Sequence, residues 1–259
     1  MIASLSRAFD AYSKKPFNFA WCSLLYIVML LLFGLACIGF FIIYFLFMSV
    51  INQPVSFTPI SITTLPTIIV SVFIALVFLF FANGLNGALA TAYRRALERN
   101  KTSLVAFYND SLAKAPVCFA IMLVRDLIWL VLVGPAIGGY VYVVLQGAAD
   151  TSILLPAYLV SMTYAIIMTF IIHMVFTPAL LSAGAFGTGM MASLRNSYRL
   201  LRSKHVYFVG LYAVFAVTWL LSFVPIIQLA SLFFAYPITY GSLITMLESK
   251  GARMETEEE

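Results

Sequence analysis

Three times along the chain a short polar segment that ends in basic residues runs straight into a long apolar stretch. The segments are SLSRAFDAYSKK (Ser4 to Lys15), SLVAFYNDSLAK (Ser103 to Lys114) and SLRNSYRLLRSK (Ser193 to Lys204). In the third, Leu194, Tyr198 and Leu201 fall at i, i+4 and i+7, and Arg195, Arg199 and Arg202 repeat that spacing one position on. A helix with this pattern has an apolar and a basic face, which predicts a helix lying in a membrane interface with Leu194, Tyr198 and Leu201 toward the core.

The apolar stretches set the fold class. Pro16 to Asn109 carries charged side chains only between Arg94 and Lys101, and about 20 apolar residues suffice to cross a bilayer. Hydrophobic side chains make up 63% of the chain, charged ones 10%, and the mean hydropathy is +1.02. Those values exclude an ordinary soluble domain and describe an all-α, polytopic membrane protein. The pattern predicts six transmembrane helices: about Phe19–Met48, Thr67–Ala92, Pro116–Leu145, Ile153–Leu181, Val206–Val224 and Leu229–Leu247. The first run is too long for a signal-peptide core and is read as a retained helix.

The six helices group into three hairpins in parallel repeat, each preceded by a cytoplasmic amphipathic surface helix, in one domain over residues 1–249. The repeat units are about 1–98, 99–190 and 191–249. Near matching ends of the even helices stand Asn83-Gly84, Thr177-Pro178 and Tyr236-Pro237, read as a helix-weakening step at a common depth. Residues 250–259, KGARMETEEE, are expected to form a disordered acidic cytoplasmic tail.

Charge gives the orientation. Arg7, Lys14 and Lys15 precede the first helix, Arg94, Arg95, Arg99, Lys101 and Lys114 lie between the second and third, and Arg195, Arg199, Arg202 and Lys204 between the fourth and fifth. The alternate connections carry no Lys or Arg, so both termini are expected in the cytoplasm and the chain in the cell membrane. The net charge of +5 sits beside apolar runs, which points to anionic lipid headgroups as partners and away from nucleic acid. The expected headgroup contacts are Arg7, Lys14, Lys15, Arg94, Arg95, Arg195, Arg199, Arg202 and Lys204.

Chemistry-bearing residues within the spans are few. Arg125 and Asp126 lie about ten residues into the third apolar run, and an ionisable residue inside a span is a functional candidate. Leu127 to Leu145 is itself almost a full span, so one reading leaves Arg125 at the headgroups. The sharper reading turns Asp126 inward toward Asn83 and Asn86, and adds His173 and Thr177, one helical turn apart, to a polar cluster. Cys22, Cys37 and Cys118 form no C-x-x-C pair, and no histidine or carboxylate set has metal-ligand spacing, so no metal site and no cofactor is expected. Nucleophile-elbow, phosphate-loop and H-E-x-x-H motifs are absent, which sets enzymes aside.

The stretch TPALLSAGAFGTGMMASLRNSYRLLRSKHVYFVGLY, the Pro225 entry to the last helix and its YPITYGSLITMLE close resemble the six-helix membrane domain fused to some bacterial glycerophosphodiester phosphodiesterases and its stand-alone prokaryotic relatives. The resemblance implies fold and membrane location. The soluble phosphodiesterase barrel has no counterpart in the chain, so its activity and metal ligands do not carry over. Two functional expectations follow. The first is a non-enzymatic membrane scaffold or accessory subunit that binds lipid, a membrane protein partner or a second copy of itself. The second is a permeation or lipid-handling protein whose path passes Asn83, Asn86, Asp126, His173 and Thr177.

Overall fold

Apolar side chains without interruption by charge leave the backbone one way to satisfy its amides in lipid, which is to hydrogen-bond within the segment as helix. The computed structural model describes residues 2–50, 65–98, 100–145, 151–202, 231 and 233–249. Among them it is all-helical: α1 (Ile2–Lys14), α2 (Pro16–Val50), α3 (Leu65–Leu97), α4 (Leu104–Leu145), α5 (Thr151–Phe186), α6 (190–202) and α7 (Ala235–Glu248). Four helices are long and apolar enough to cross a membrane, over Pro16–Tyr44, Thr67–Leu97, Leu104–Val144 and Leu154–Phe186. The fifth expected span, Val206–Val224, and the tail from 250 lie outside the described residues, and α7 corresponds to the later part of the sixth.

The two proline-marked junctions behave differently. Pro16 takes the first position of α2, where its missing N–H costs nothing, and its ring disfavours helix at Lys15, so α1 ends there. Pro116 stands inside α4, which runs unbroken for 42 residues. The segment Ser103–Lys114 is therefore not a separate surface helix but mostly the opening turns of α4, about 63 Å long at 1.5 Å per residue. Packing is the reason. Both sides of Pro116 lie along α3, with Ala115 and Cys118 fully buried, so the neighbour supports the helix through the lost hydrogen bond.

That contact rests on small residues. A Cβ on Gly84 of α3 would lie 2.4 Å from the Ser111 carbonyl oxygen and 2.9 Å from the Cβ of Ala115, and one on Gly87 2.7 Å from the Cys118 sulfur. On α5, a Cβ at Gly184 would lie 2.7 Å from the Gly87 carbonyl oxygen and 2.9 Å from its Cα. Asn83-Gly84 is thus no weak point in α3, which stays helical through both residues; the glycines admit the backbones of α4 and α5.

Burial divides the helices by height. At the end rich in Arg and Lys, Phe19, Leu85, Tyr93, Phe107, Leu181, Leu200, Leu243 and Met246 form a closed core. Toward the other end large apolar side chains stand exposed: Leu31 to Phe47 on α2, Ile68 to Leu79 on α3, Leu123 to Val144 on α4 and Leu155 to Ile171 on α5. These outer portions are about 18 to 33 Å of helix, of the order of the hydrocarbon thickness.

Each polar or amphipathic segment docks on a helix exit at the basic end. The start of α4 lies on α3, α6 on α5, and α1 on α7, where Gly241 admits Ala8 and the Tyr12 hydroxyl donates to the Phe233 carbonyl at 3.2 Å.

Gly184→Ala is expected to lower stability by about 1 to 3 kcal/mol, because its methyl would meet backbone that cannot move aside. Gly34→Ala, whose Cβ meets nothing within 4 Å, serves as the control and should leave stability unchanged or slightly raised. Thermal unfolding of the two variants in detergent measures the difference.

Candidate functional site

The elbow between α5 and α6 gathers the buried polar side chains Ser182, Thr188, Ser193, Asn196 and Ser197. α5 stops at Gly187, whose φ of 72° is open to glycine, and the Gly187 N–H bonds the Ala183 carbonyl at 3.0 Å in a left-handed C-cap. Beyond it the Thr188 and Ser193 hydroxyls are 2.7 Å apart, Thr188 and Ser182 3.0 Å, and Asn196 Nδ2 donates to Ser182 Oγ at 3.0 Å. Ser197 Oγ donates to the Val175 carbonyl. Ser193, Asn196, Ser197 and Leu200 are all buried, and their spacing of i, i+3, i+4 and i+7 makes them the inward face of α6.

This corrects the sequence expectation. Tyr198 is 63% exposed and leaves the expected face, Leu194 and Leu201 are partly buried and pack against the core, and the fully buried face is the one with Ser193, Asn196, Ser197 and Leu200. Beside a membrane an apolar side chain gains little by turning inward, whereas small polar groups gain interhelical hydrogen bonds. Arg195, Tyr198, Arg199 and Arg202 consequently share the outward side.

The last carbonyls of α5 lack partners within their own helix and carry its negative dipole end. Arg94 Nη1 donates to the Ala185 carbonyl at 2.7 Å and its guanidinium lies 4.9 Å from the centre of the Phe186 ring. The Thr91 hydroxyl donates to the Gly184 carbonyl at 2.7 Å, and the Lys114 ammonium would stand 2.8 Å from a Cβ at Gly187. Arg95 reaches Asp110 at 2.6 and 3.4 Å, tying α3 to the start of α4. Arg94 and Arg95 are therefore engaged within the protein, as are Lys14 with Asp10 at 2.7 Å and Arg7 with Glu248 at 3.7 Å. Lys15 is exposed, and Lys204 lies outside the described residues.

Of the polar candidates in the spans, the structure brings three to one seam. Arg125 donates through Nε and Nη2 to a single oxygen of Asp126, at 2.8 and 2.6 Å, and the Asp126 side chain is 53% exposed. Neighbours on a helix diverge by about 100°, and the long arginine bridges that angle. His173 on α5 is within electrostatic reach of both, and one turn farther out Trp129 Nε1 donates to Thr169 Oγ1 at 2.8 Å. All of these sit where the closed core gives way to the exposed outer portions. Asn83 is buried and Asn86 half-buried on α3, and the hydrogen bonds of Asp126 go to Arg125 and not to them. Thr177 is half-buried one turn from His173. Among the described residues no three His, Cys, Asp or Glu side chains come together as a metal site, and Cys22, Cys37 and Cys118 are free thiols.

Sequence reasoning passed over Ser182, Asn196 and Lys114. The signal for the first two was the second helical row in the third segment, Ser193, Asn196, Ser197 and Leu200, which a search for apolar stripes does not weigh.

Asn196→Ala leaves the buried Ser182 hydroxyl with one partner fewer and should cost about 1 to 3 kcal/mol, whereas the outward Tyr198→Ala should stay within about 0.5 kcal/mol. Unfolding midpoints of the two in the same detergent check the rotated inward face.

Comparison of the chain with protein-family models, with curated proteins and with solved structures found no match.

Proposed function

We propose that this protein is a non-enzymatic scaffold or accessory subunit of the cell membrane that holds anionic lipid headgroups, and through them or directly a membrane partner, on its basic end. The observation that carries the reading is the outward row of Arg195, Tyr198, Arg199 and Arg202 on a helix whose inward face is bonded into the fold. Three guanidiniums beside an aromatic ring suit a surface of phosphates at the level where aromatic side chains anchor. In this reading the chain has six spans in three parallel hairpins with both termini in the cytoplasm. The repeat is supported by the docking of three equivalent segments on three helix exits, α1 on α7, the start of α4 on α3, and α6 on α5. These pairings close in a ring, since the first unit covers the last. The likeness to the membrane domain of the phosphodiesterases accords with the same six-helix plan.

A permeation path would need Asn83, Asn86, Asp126, His173 and Thr177 on one passage. Asp126 instead pairs with its neighbour Arg125, and the cleft of about 560 Å³ between the outer parts of α4 and α5 is lined by none of the five.

Lipid retention tests the function. Replacing Arg195, Arg199 and Arg202 together by Glu should lower the preference for phosphatidylglycerol over phosphatidylcholine in nanodiscs by roughly a hundredfold, at about 1 kcal/mol for each basic residue. Unchanged lipid composition in the recovered discs would sink the proposal. The orientation has its own check: a cysteine introduced beside Asp150 should react with an impermeant thiol reagent applied outside intact cells, and one at Arg199 should not.

A further inference from the structure

Where α4 begins, beside the first turns of α2, a cleft of about 610 Å³ opens at the basic end. Its walls are apolar and aromatic: Phe17, 86% exposed, with Trp21 and Leu24 below it on α2. Trp21 is held as a wall, its indole N–H donating to the Thr102 carbonyl at 3.0 Å. The charge at the rim has one sign. Lys101 is exposed, takes part in no ion pair among the described residues, and no carboxylate lines the cleft.

The amino end of the next helix adds to that positive character. Lys101 and Thr102 lead directly into the amino end of the 42-residue α4, where Ser103 caps the Ala106 N–H at 3.1 Å and the helix dipole favours an anion. Thr102 is only 4% exposed, yet its Oγ1 has no oxygen or nitrogen partner; beside it lies the Cys22 thiol, a weak hydrogen-bonding group. The lining is thus apolar in one direction and cationic at its rim, at the depth where the α2 side chains begin to open toward lipid.

We infer that this cleft binds one anionic phospholipid, its phosphate against Lys101 and the amino end of α4 and an acyl chain along Phe17, Trp21 and Leu24. The inference deepens the lipid-holding reading by giving it a discrete site on a face formed by α2, the Lys101-Thr102 lead into α4 and Phe233, built from none of the α6 arginines.

The chain has three tryptophans, so Trp129→Phe with Trp219→Phe leaves Trp21 as the reporter. In vesicles of phosphatidylcholine, a small fraction of chain-brominated phosphatidylglycerol should quench Trp21 with about fivefold higher apparent affinity than brominated phosphatidylcholine, the factor one basic residue near an anionic surface contributes. Lys101→Glu should abolish that preference, and Lys101→Ala should do so in part, keeping the test open if the reversal disturbs folding. Equal quenching by the two lipids, or a preference that survives both substitutions, would overturn the site. Total phosphatidylglycerol retained is measured on the same samples with the triple α6 reversal. A Trp21 preference without any α6 dependence would overturn the broader reading and leave the cleft standing, and α6 dependence without a Trp21 preference would do the opposite.

Discussion

Backbone meets backbone where α3 passes α5, and the arrangement of the basic end depends on that approach. Gly87 and Gly184 leave no room between the two helices for even a methyl group. Helices in lipid have no hydrophobic force to draw them together, because the acyl chains are as apolar as leucine, so close packing and interhelical hydrogen bonds must do it. Once the axes are this near, the Thr91 hydroxyl and the Arg94 guanidinium reach the terminal carbonyls of α5. Those bonds fix the elbow at Gly187, and the elbow fixes which side of α6 faces in. A larger residue at Gly184 would separate the carbonyls from their donors together with the helices.

Coarse architecture was legible because it rests on quantities a sequence displays. Charge-free runs longer than a span gave the four membrane helices, and Lys15-Pro16 gave the end of α1. Continuity of α4 through Pro116 was not legible, since it depends on α3 supporting the axis, and no local signal at Ala115-Pro116 differs from the one at Lys15-Pro16. The rotated inward face of α6 escaped for another reason. Apolar periodicity identifies the buried side of a helix surrounded by water, and Leu194, Tyr198 and Leu201 follow that rule well; in lipid the rule loses its driving force and Ser193, Asn196 and Ser197 decide. At the seam, the closure of the Arg125–Asp126 pair between adjacent residues follows from arginine's reach.

Basic residues divide into two populations with different work. Arg94 is drawn to the end of α5 and Arg95 to the Asp110 carboxylate, and they tie the exit of α3 to α5 and to the start of α4. Arg195, Arg199, Arg202 and Lys101 stand at the surface. Composition alone gives all of them the same meaning, a positive end seeking anions. Geometry assigns the first group to cohesion and sets the second on the outer face.

The continuous α4 also runs on past the membrane it crosses. Its apolar outer part is about one bilayer core long, and about 33 Å of the same rod continues past Asp126 to Leu104. A helix without a break between the two parts cannot shorten, so a mismatch with the hydrocarbon thickness would be met by tilt, by a bend or by the lipid itself. Arg95 on Asp110 and the close approach of Gly84 to Ser111 join α3 to that inner length, so a tilt of α4 would carry α3 with it.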